Sequence, residues 1–457
     1  MYIKQSINWL KRSQNLISFL ILALFIFLRA LLRGVSLWSW DDVEFVWQVE
    51  HGNWYAHAPG FPGYIVLGRL FYSICMSFTG DVHAEGPMLL LSALLAGATI
   101  IPLFYLTKHL FSNQAATFLV ATFFAISPDY WFWGTQSYSD ISATFFFLSS
   151  LALCKLGLVR KDPKLLLASM LTFGYGVEIR LTHIILLPAL LVMLIQKERG
   201  SAFPSSKKGL AFILTALVSS SVGYLCILCS MGWEKWLKYI TQYNEVNIVP
   251  LTAFTLLSRS LTLINHLIMG STYPIFILFP IGLLFVCKNK KNSSLLLTWI
   301  VPYAAFFLCY GPNFSRFYLP ILPAIILLSA YGLVNIFDFL KRKLKSIFVL
   351  KFIITCIILL LALYSAFPTY ITVKRLHDYP SPGKQLALFI NQVVPKNSVV
   401  IGEKYCWLLH YYTDVQIIWS FDQEYVIHCI DSYLSTGNHV FIPDDALQSY
   451  PYLSEYY

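Results

Sequence analysis

Charge is scarce in this sequence. Lys, Arg, Asp and Glu make up 12% of 457 residues, against 57% hydrophobic residues and a mean hydropathy of +0.63. That scarcity excludes a water-soluble domain of this size. The nine cysteines have no framework spacing, and most lie in apolar runs where Cys acts as a small hydrophobe. Cys406 and Cys429 fall in the C-terminal segment and could pair, a choice spacing leaves open. There is no P-loop, GxGxxG, HExxH or CxxC, which argues against cytoplasmic nucleotide-driven chemistry. No internal repeat is evident.

What is present is a series of apolar runs of about 17–25 residues, the length a hydrocarbon core of about 30 Å demands of a spanning helix. They are continuous and rich in Leu, Ile and Phe, unlike the short alternating segments of a membrane β-barrel. The fold class expected is an all-α polytopic membrane protein with about eleven transmembrane helices. Candidate spans lie near 16–33, 87–107, 114–132, 140–157, 165–179, 183–196, 209–230, 266–287, 293–311, 317–337 and 349–369. Lys4, Lys11 and Arg12 ahead of the first run suit an uncut signal anchor.

The net charge of +10 comes from basic residues dispersed through short loops, so nucleic acid is not expected as a partner. Lys108, Arg160/Lys161/Lys164, Lys197/Arg199/Lys207/Lys208, Lys288/Lys290/Lys291 and Lys341/Arg342/Lys343/Lys345 all fall on one side, which the positive-inside rule makes cytoplasmic. The N-terminus is then cytoplasmic and the C-terminus extracytoplasmic, with a bacterial plasma membrane as the expected location. Two segments are settled by parity. Residues 64–78 are short and interrupted by Arg69, and read as an interfacial helix within a first outer loop, 34–86. Residues 165–195 are flanked by Lys164 and Lys197, and read as a hairpin whose tip carries Glu178, Arg180 and His183.

The organisation expected is a transmembrane domain over 1–369 and an extracytoplasmic α/β module over 370–457. Ser381-Pro382 opens an amphipathic helix to about Val394, with Ser as N-cap and Pro at the first helical position. Short strands are expected at 397–402, 415–420 and 439–443, with a helix near 423–435.

The chemistry concentrates on the outer side. Asp41, Asp42 and Glu44 follow the first span. Plainly read they are a solvated acidic loop; functionally, one is a general base whose affinity for a proton rises near a low-dielectric surface. They could instead hold a divalent metal through hard oxygen ligands. His57-Ala-Pro-Gly-Phe-Pro-Gly is a rigid turn in which His57 could meet a phosphate or orient a carboxylate. Arg69, Arg180 and Arg316 are snorkelling anchors or surface ion pairs on the plain reading. On the functional one they are permanently charged forks for phosphate. Asp140 is a helix cap or a contact for a polar substrate. His183 at membrane depth is a functional candidate by its cost alone.

These residues resemble a known family. Asp41-x-x-Glu44-Phe45, His57-x-Pro59-Gly60-Phe61-Pro62, Leu67-Gly68-Arg69-Leu70-Phe71 and Leu91-Ser92-Ala93-Leu94 are similar to the GT-C superfamily of polyprenyl-phosphate-sugar-dependent glycosyltransferases. The nearest likeness is to the protein O-mannosyltransferase-like branch with an HPPGYP signature. Arg316-Phe-Tyr-Leu-Pro-x-Leu-Pro resembles a late R-Y-x-x-P-x-x-P element of related members. The resemblance covers roughly 20–340. It departs at Ala58, where the branch has Pro, and at Ser139-Asp140, where a Glu-containing motif is usual.

The resemblance implies a catalytic base among Asp41, Asp42 and Glu44, and a polyprenyl-phosphate sugar donor. His57, Arg69, Asp140, Arg180, His183 and Arg316 are the expected substrate-binding residues. The acceptor is a hydroxyl of a lipid, glycan or protein, beside the membrane lipids themselves. A lipid phosphate departs as a stable anion and needs no general acid, whereas glycosidases use two carboxylates. The rival from another class is a transporter or flippase of polyprenyl-linked glycans, which needs polar groups distributed through the spans to both sides.

Overall fold

The computed structural model describes residues 20–52, 59–80, 83–196, 206–247, 252–310, 314–343, 347–402, 406–418 and 423–442. His57, with the rest of 53–58, lies outside the described residues, as does Lys197.

The chain is helical almost throughout, as backbone in hydrocarbon must satisfy its own hydrogen bonds. The first part comprises α1 (Leu20–Leu31), α2 (Trp40–His51), α3 (Pro62–Thr79), α4 (Glu85–Ala98), α5 (Ile100–Phe111), α6 (Gln114–Ala125), α7 (Pro128–Gly134), α8 (Ser139–Arg160) and α9 (Pro163–Ile179). A 3-10 turn, Leu181–Leu186, leads to α10 (Leu187–Ile195), α11 (Ser206–Ser219), α12 (Val222–Met231), α13 (Trp233–Asn247), α14 (Ala253–Ser271), α15 (Tyr273–Val286) and α16 (Lys290–Cys309). A second 3-10 turn, Ser315–Tyr318, precedes α17 (Leu322–Lys343) and α18 (Ile347–Asp378).

Among the described residues six helices are long and apolar enough to cross a membrane, and the bent pair α14–α15 makes a seventh. Leu20–Leu31, Gln114–Ala125 and Leu181–Ile195 are shorter apolar helices. Several expected spans are redrawn. The run 114–132 is two helices, because α6 stops at Ala125 and Pro128 starts α7. The run 266–287 is broken by 111° at Thr272, which carries φ +75° ahead of Pro274. The last expected span, 349–369, is part of a longer helix that continues to Asp378. Residues 64–78 lie in α3, which begins at Pro62 and ends at Gly80 in the left-handed region (φ +67°).

The expected hairpin over 165–195 is present. α9 ends at Ile179, and the chain then returns along α16: the His183 ring lies 6.0 Å from that of Tyr303, and Gln196 donates to the Lys291 carbonyl at 2.6 Å. The bundle therefore has two chemically distinct ends. α8 carries Asp140 in its first turn and Arg160 in its last, about 30 Å away. α17 likewise runs from just beyond Arg316 to Lys341, Arg342 and Lys343. Small residues set the packing where helices approach closest. A Cβ on Gly332 of α17 would come within 2.6 Å of the Leu278 carbonyl oxygen on α15.

The C-terminal elements match the sequence reading closely. Ser381 caps α19 (Pro382–Val393) by accepting from the Lys384 N–H at 3.3 Å. β1 (Val399–Ile401), α20 (Cys406–Tyr412), β2 (Gln416–Ile418), α21 (Gln423–Ser435) and β3 (Val440–Phe441) follow. The strands form a parallel sheet in the order β2-β1-β3. Cys406 and Cys429 are both free thiols.

The module is fastened to the loop that follows α1. Val35 donates to the Leu376 carbonyl at 3.1 Å, Ser381 donates to the Ser36 hydroxyl at 2.7 Å, and Leu37 donates to the Tyr412 hydroxyl at 3.0 Å. Glu85 accepts from Tyr412 and, at 3.2 Å, from the Lys384 ammonium.

Candidate active site

The N-terminus of α2 is fixed by a capping box. Ser39 accepts from the Asp42 N–H at 3.3 Å, and Asp42 Oδ2 accepts from the N–H groups of Ser39 at 3.2 Å and Trp38 at 3.0 Å. Both carboxylates of this turn are buried. Burial pushes the Asp42 carboxyl up to about 7, outweighing the two backbone donors that favour its charge. Asp42 thus closes the cap, with Oδ1 unpaired.

Asp41, next to it, forms an ion pair with the Arg316 guanidinium. Arg316 comes from the 3-10 turn after α16 and is held by aromatic faces. Its guanidinium lies 4.4 Å from the Tyr138 ring and 5.1 Å from that of Phe317. The Tyr138 hydroxyl is bonded to the Ser39 hydroxyl, which ties the start of α8 to the start of α2.

A second pair lies beside the first. Arg180 Nε is 2.9 Å from Asp140 Oδ1, and its Nη1 donates to the Ser139 hydroxyl at 3.1 Å. The Arg180 guanidinium also lies 5.1 Å from the Phe317 ring, so both arginines touch that ring. Electrostatically the groups are one cluster: Arg316 feels both Asp41 and Asp140, and Asp140 feels both arginines.

Arg180 is presented by a break between helices. Its backbone is extended (φ −153°, ψ 109°) between α9 and the following 3-10 turn. The Gly60-Phe61-Pro62-Gly63 turn holds that break in place. Gly60 has φ +94°, and the Gly63 carbonyl accepts from the Tyr175 hydroxyl at 3.0 Å. A Cβ on Gly63 would meet the Ile179 nitrogen at 2.8 Å, so only glycine lets the turn close on α9. Phe61 stacks edge-on against Phe45 at 5.1 Å and lies 5.9 Å from the Arg180 guanidinium.

The structure thus gathers Asp41, Asp42, Asp140, Arg180 and Arg316. His183 is fully buried just behind Arg180, with neither ring nitrogen hydrogen-bonded. Arg69 does not join them. It lies on α3 and donates to the Gln48 carbonyl at 3.0 Å, satisfying the C-terminal end of α2. Glu44 faces an outer cavity. Glu178 bonds the Gly223 N–H at the start of α12, so it is not the partner of Arg180. Sequence reasoning missed Ser39 and Phe317. The Ser39-x-x-Asp42 spacing carries the signal of a capping box; Phe317 gives none.

Asp41 and Asp140 are each paired to an arginine, and two guanidinium groups beside them repel a cation. Among the described residues no three His, Cys, Asp or Glu side chains come together as a metal-binding group.

A family model described as dolichyl-phosphate-mannose-protein mannosyltransferase matches residues 66–224. No curated protein matches the chain by sequence. Solved structures share the fold. ArnT from Cupriavidus metallidurans, solved with undecaprenyl phosphate, aligns at TM-score 0.61 and 12% identity over 96% of this chain and 91% of its own. The oligosaccharyltransferase of Archaeoglobus fulgidus, solved with zinc and sulfate, aligns at TM-score 0.53 and 16% identity over 87% of this chain. This chain spans 62% of that enzyme's length. The chain thus shares its fold with ArnT and the oligosaccharyltransferase, and its residues 66–224 resemble the mannosyltransferase family.

Proposed function

We propose that the protein transfers a sugar from a polyprenyl-phosphate carrier to a hydroxyl acceptor, at the bundle end opposite its lysine-rich loops. The observation that carries this reading is the double pair Asp41–Arg316 and Asp140–Arg180 around Phe317. Carboxylate and guanidinium at one buried point supply what the reaction needs: an acceptor for a proton and a cation for a departing phosphate. The positive-inside rule supports the extracytoplasmic face for this end, and a bacterial plasma membrane is the location that goes with the reading.

The steps follow from the groups. The donor phosphate binds Arg316 and Arg180, whose forks accept oxygen pairs. Arg316 then shares its charge between phosphate and Asp41, and Asp41 becomes a better proton acceptor as its partner is neutralised. The acceptor hydroxyl oxygen attacks the anomeric carbon from the face opposite the phosphate. The bond from the anomeric carbon to the phosphate oxygen breaks, the phosphate leaves as an anion, and the hydroxyl proton passes to Asp41. Configuration inverts. Charge grows on the phosphate in the transition state, where preorganised guanidinium groups act most strongly. Asp42 serves the turn and is not the group that takes up the hydroxyl proton.

A flippase would need a polar route through the bundle. Among the described residues, the buried charged side chains (Arg29, Asp41, Asp42, Asp140, Glu178, Arg180, His183 and Arg316) lie on elements that meet at one end.

Transfer from labelled polyprenyl-phosphate sugars tests the reading, comparing Asp41→Asn, Asp42→Asn and Glu44→Gln. Asp41→Asn is expected to lose about 10²–10⁴-fold in turnover while still binding donor. Undiminished transfer by that variant overturns the assignment of the base. Absence of transfer from every donor by the wild type overturns the function.

A further inference from the structure

A cavity of about 670 Å3 opens between α2, the start of α4 and the C-terminal module. It lies within the size range of small-molecule sites. Its α2 wall is Glu44, Trp47 and Gln48, and its opposite wall includes Trp407 and Tyr411 of α20. Positions 41, 44, 48 and 51 follow one another along one helical face. The cavity wall is therefore the continuation of the face that bears Asp41.

Three features define what fits. Trp47 and Trp407 are each more than a third exposed, at 38% and 37%, and both line the cavity. Flat indole faces suit the C–H face of a pyranose ring. Gln48 is 6% exposed, and its Oε1 is buried with no hydrogen-bond partner. A buried amide oxygen without a donor is costly, and a ligand hydroxyl supplies one. Among the described lining residues, the carboxylates Glu44, Glu50, Glu85 and Asp414 outnumber the one lysine, Lys384, which Glu85 already engages, and His51, His83 and His410 lie beside them. Such a wall accepts hydrogen bonds from hydroxyl groups and repels phosphates and carboxylates.

We propose that this cavity holds the acceptor, and that the acceptor is a saccharide without an anionic group. The acceptor role rests on the glycosyltransferase reading; the saccharide site does not. The site divides the labour. The arginine-rich end receives the anionic donor, and the carboxylate-rich cavity receives a neutral sugar whose hydroxyl is delivered along α2 toward Asp41. The C-terminal module is then part of the acceptor site, since α20 supplies one of its walls.

Calorimetric titration of the full-length protein in detergent tests this, using neutral methyl glycosides and disaccharides, glucuronate as anionic control, and undecaprenyl phosphate as a separate ligand. At least one neutral sugar is expected to bind, and glucuronate at least tenfold more weakly. Trp407→Leu and Gln48→Met are each expected to weaken the neutral sugar tenfold or more while leaving undecaprenyl phosphate binding unchanged. Arg316→Ala is expected to do the reverse. Binding of undecaprenyl phosphate with no response to any neutral sugar overturns the acceptor site and leaves the donor reading standing. Equal binding of glucuronate, or unaltered sugar binding in both variants, overturns it as well. Sugar binding without undecaprenyl phosphate binding upholds the saccharide site and sinks the donor reading instead.

Discussion

Arg316 and Asp41 meet in a buried ion pair although they come from opposite ends of the transmembrane bundle's sequence. Arg316 is further held between the Tyr138 and Phe317 rings. A planar guanidinium can stack on those rings while keeping its edge on a carboxylate; an ammonium cannot do both. Arg316→Lys is therefore expected to keep the charge but lose turnover, by roughly 10–100-fold, a drop of about 1.4–2.7 kcal/mol in transition-state stabilisation. Steady-state kinetics with saturating donor check this. Wild-type turnover in the lysine variant shows that charge alone suffices.

Asp42 makes stability depend on pH in an unusual direction. Burial raises its carboxyl from the ordinary value of 3.8 to about 7 in the folded state. The folded protein therefore binds that proton more tightly than the unfolded chain. The favourable contribution is complete below about pH 4 and is lost as pH rises through about 7. That difference in proton affinity corresponds to about 4 kcal/mol. Asp42→Asn keeps an oxygen acceptor for the Trp38 and Ser39 N–H groups and carries no charge. Thermal unfolding in detergent should show the variant more stable than wild type at pH 8, with the gap closing toward pH 5. A gap that widens on acidification contradicts the assignment.

How much of this was legible in the sequence depended on whether the signal was local. The α19 cap at Ser381, the three short strands and the 165–195 hairpin follow from nearby residues: turn chemistry, alternation and flanking lysines. The break at Thr272 was missed because hydropathy runs straight through it. Arg180 and Arg316 were legible as candidates because a charge in an apolar context is expensive wherever it points. Their partners were not, because which carboxylate meets which guanidinium is decided by helix packing. Arg69 has the same local look and ends on the Gln48 carbonyl instead. Glu44 and Asp41 differ by less than one helical turn, yet one faces a cavity and the other an arginine.

Gly63 is placed where the turn before α3 touches the end of α9. An added Cβ would come within 2.8 Å of the Ile179 nitrogen and 2.9 Å of the Glu178 carbonyl carbon. Both are backbone atoms, so no rotamer change relieves the clash. Gly63→Ala is expected to destabilise the protein by about 1–3 kcal/mol and to displace Arg180, the next residue along. Activity should fall by more than the loss of folded protein explains. The check is turnover per folded molecule, with unfolding followed by tryptophan fluorescence. A stability loss with unchanged turnover per folded molecule separates the turn from the site.

Asp140 and Arg180 are a buried pair whose energetics are distinguishable from their chemistry. Removing one partner leaves the other charged in a poorly hydrated place, at a cost of about 3–5 kcal/mol, while removing both charges costs far less. Arg180→Gln and Asp140→Asn are each expected to lower stability markedly, and the double variant to recover most of it. Polyprenyl phosphate binding should divide differently. Asp140→Asn keeps the guanidinium and should bind the phosphate as tightly as wild type or more so, because its competing anion is gone. Arg180→Gln and the double variant should both bind it at least tenfold more weakly. A double variant that regains phosphate binding along with stability shows that Arg180 serves the fold alone, and leaves Arg316 as the cation on which the donor depends.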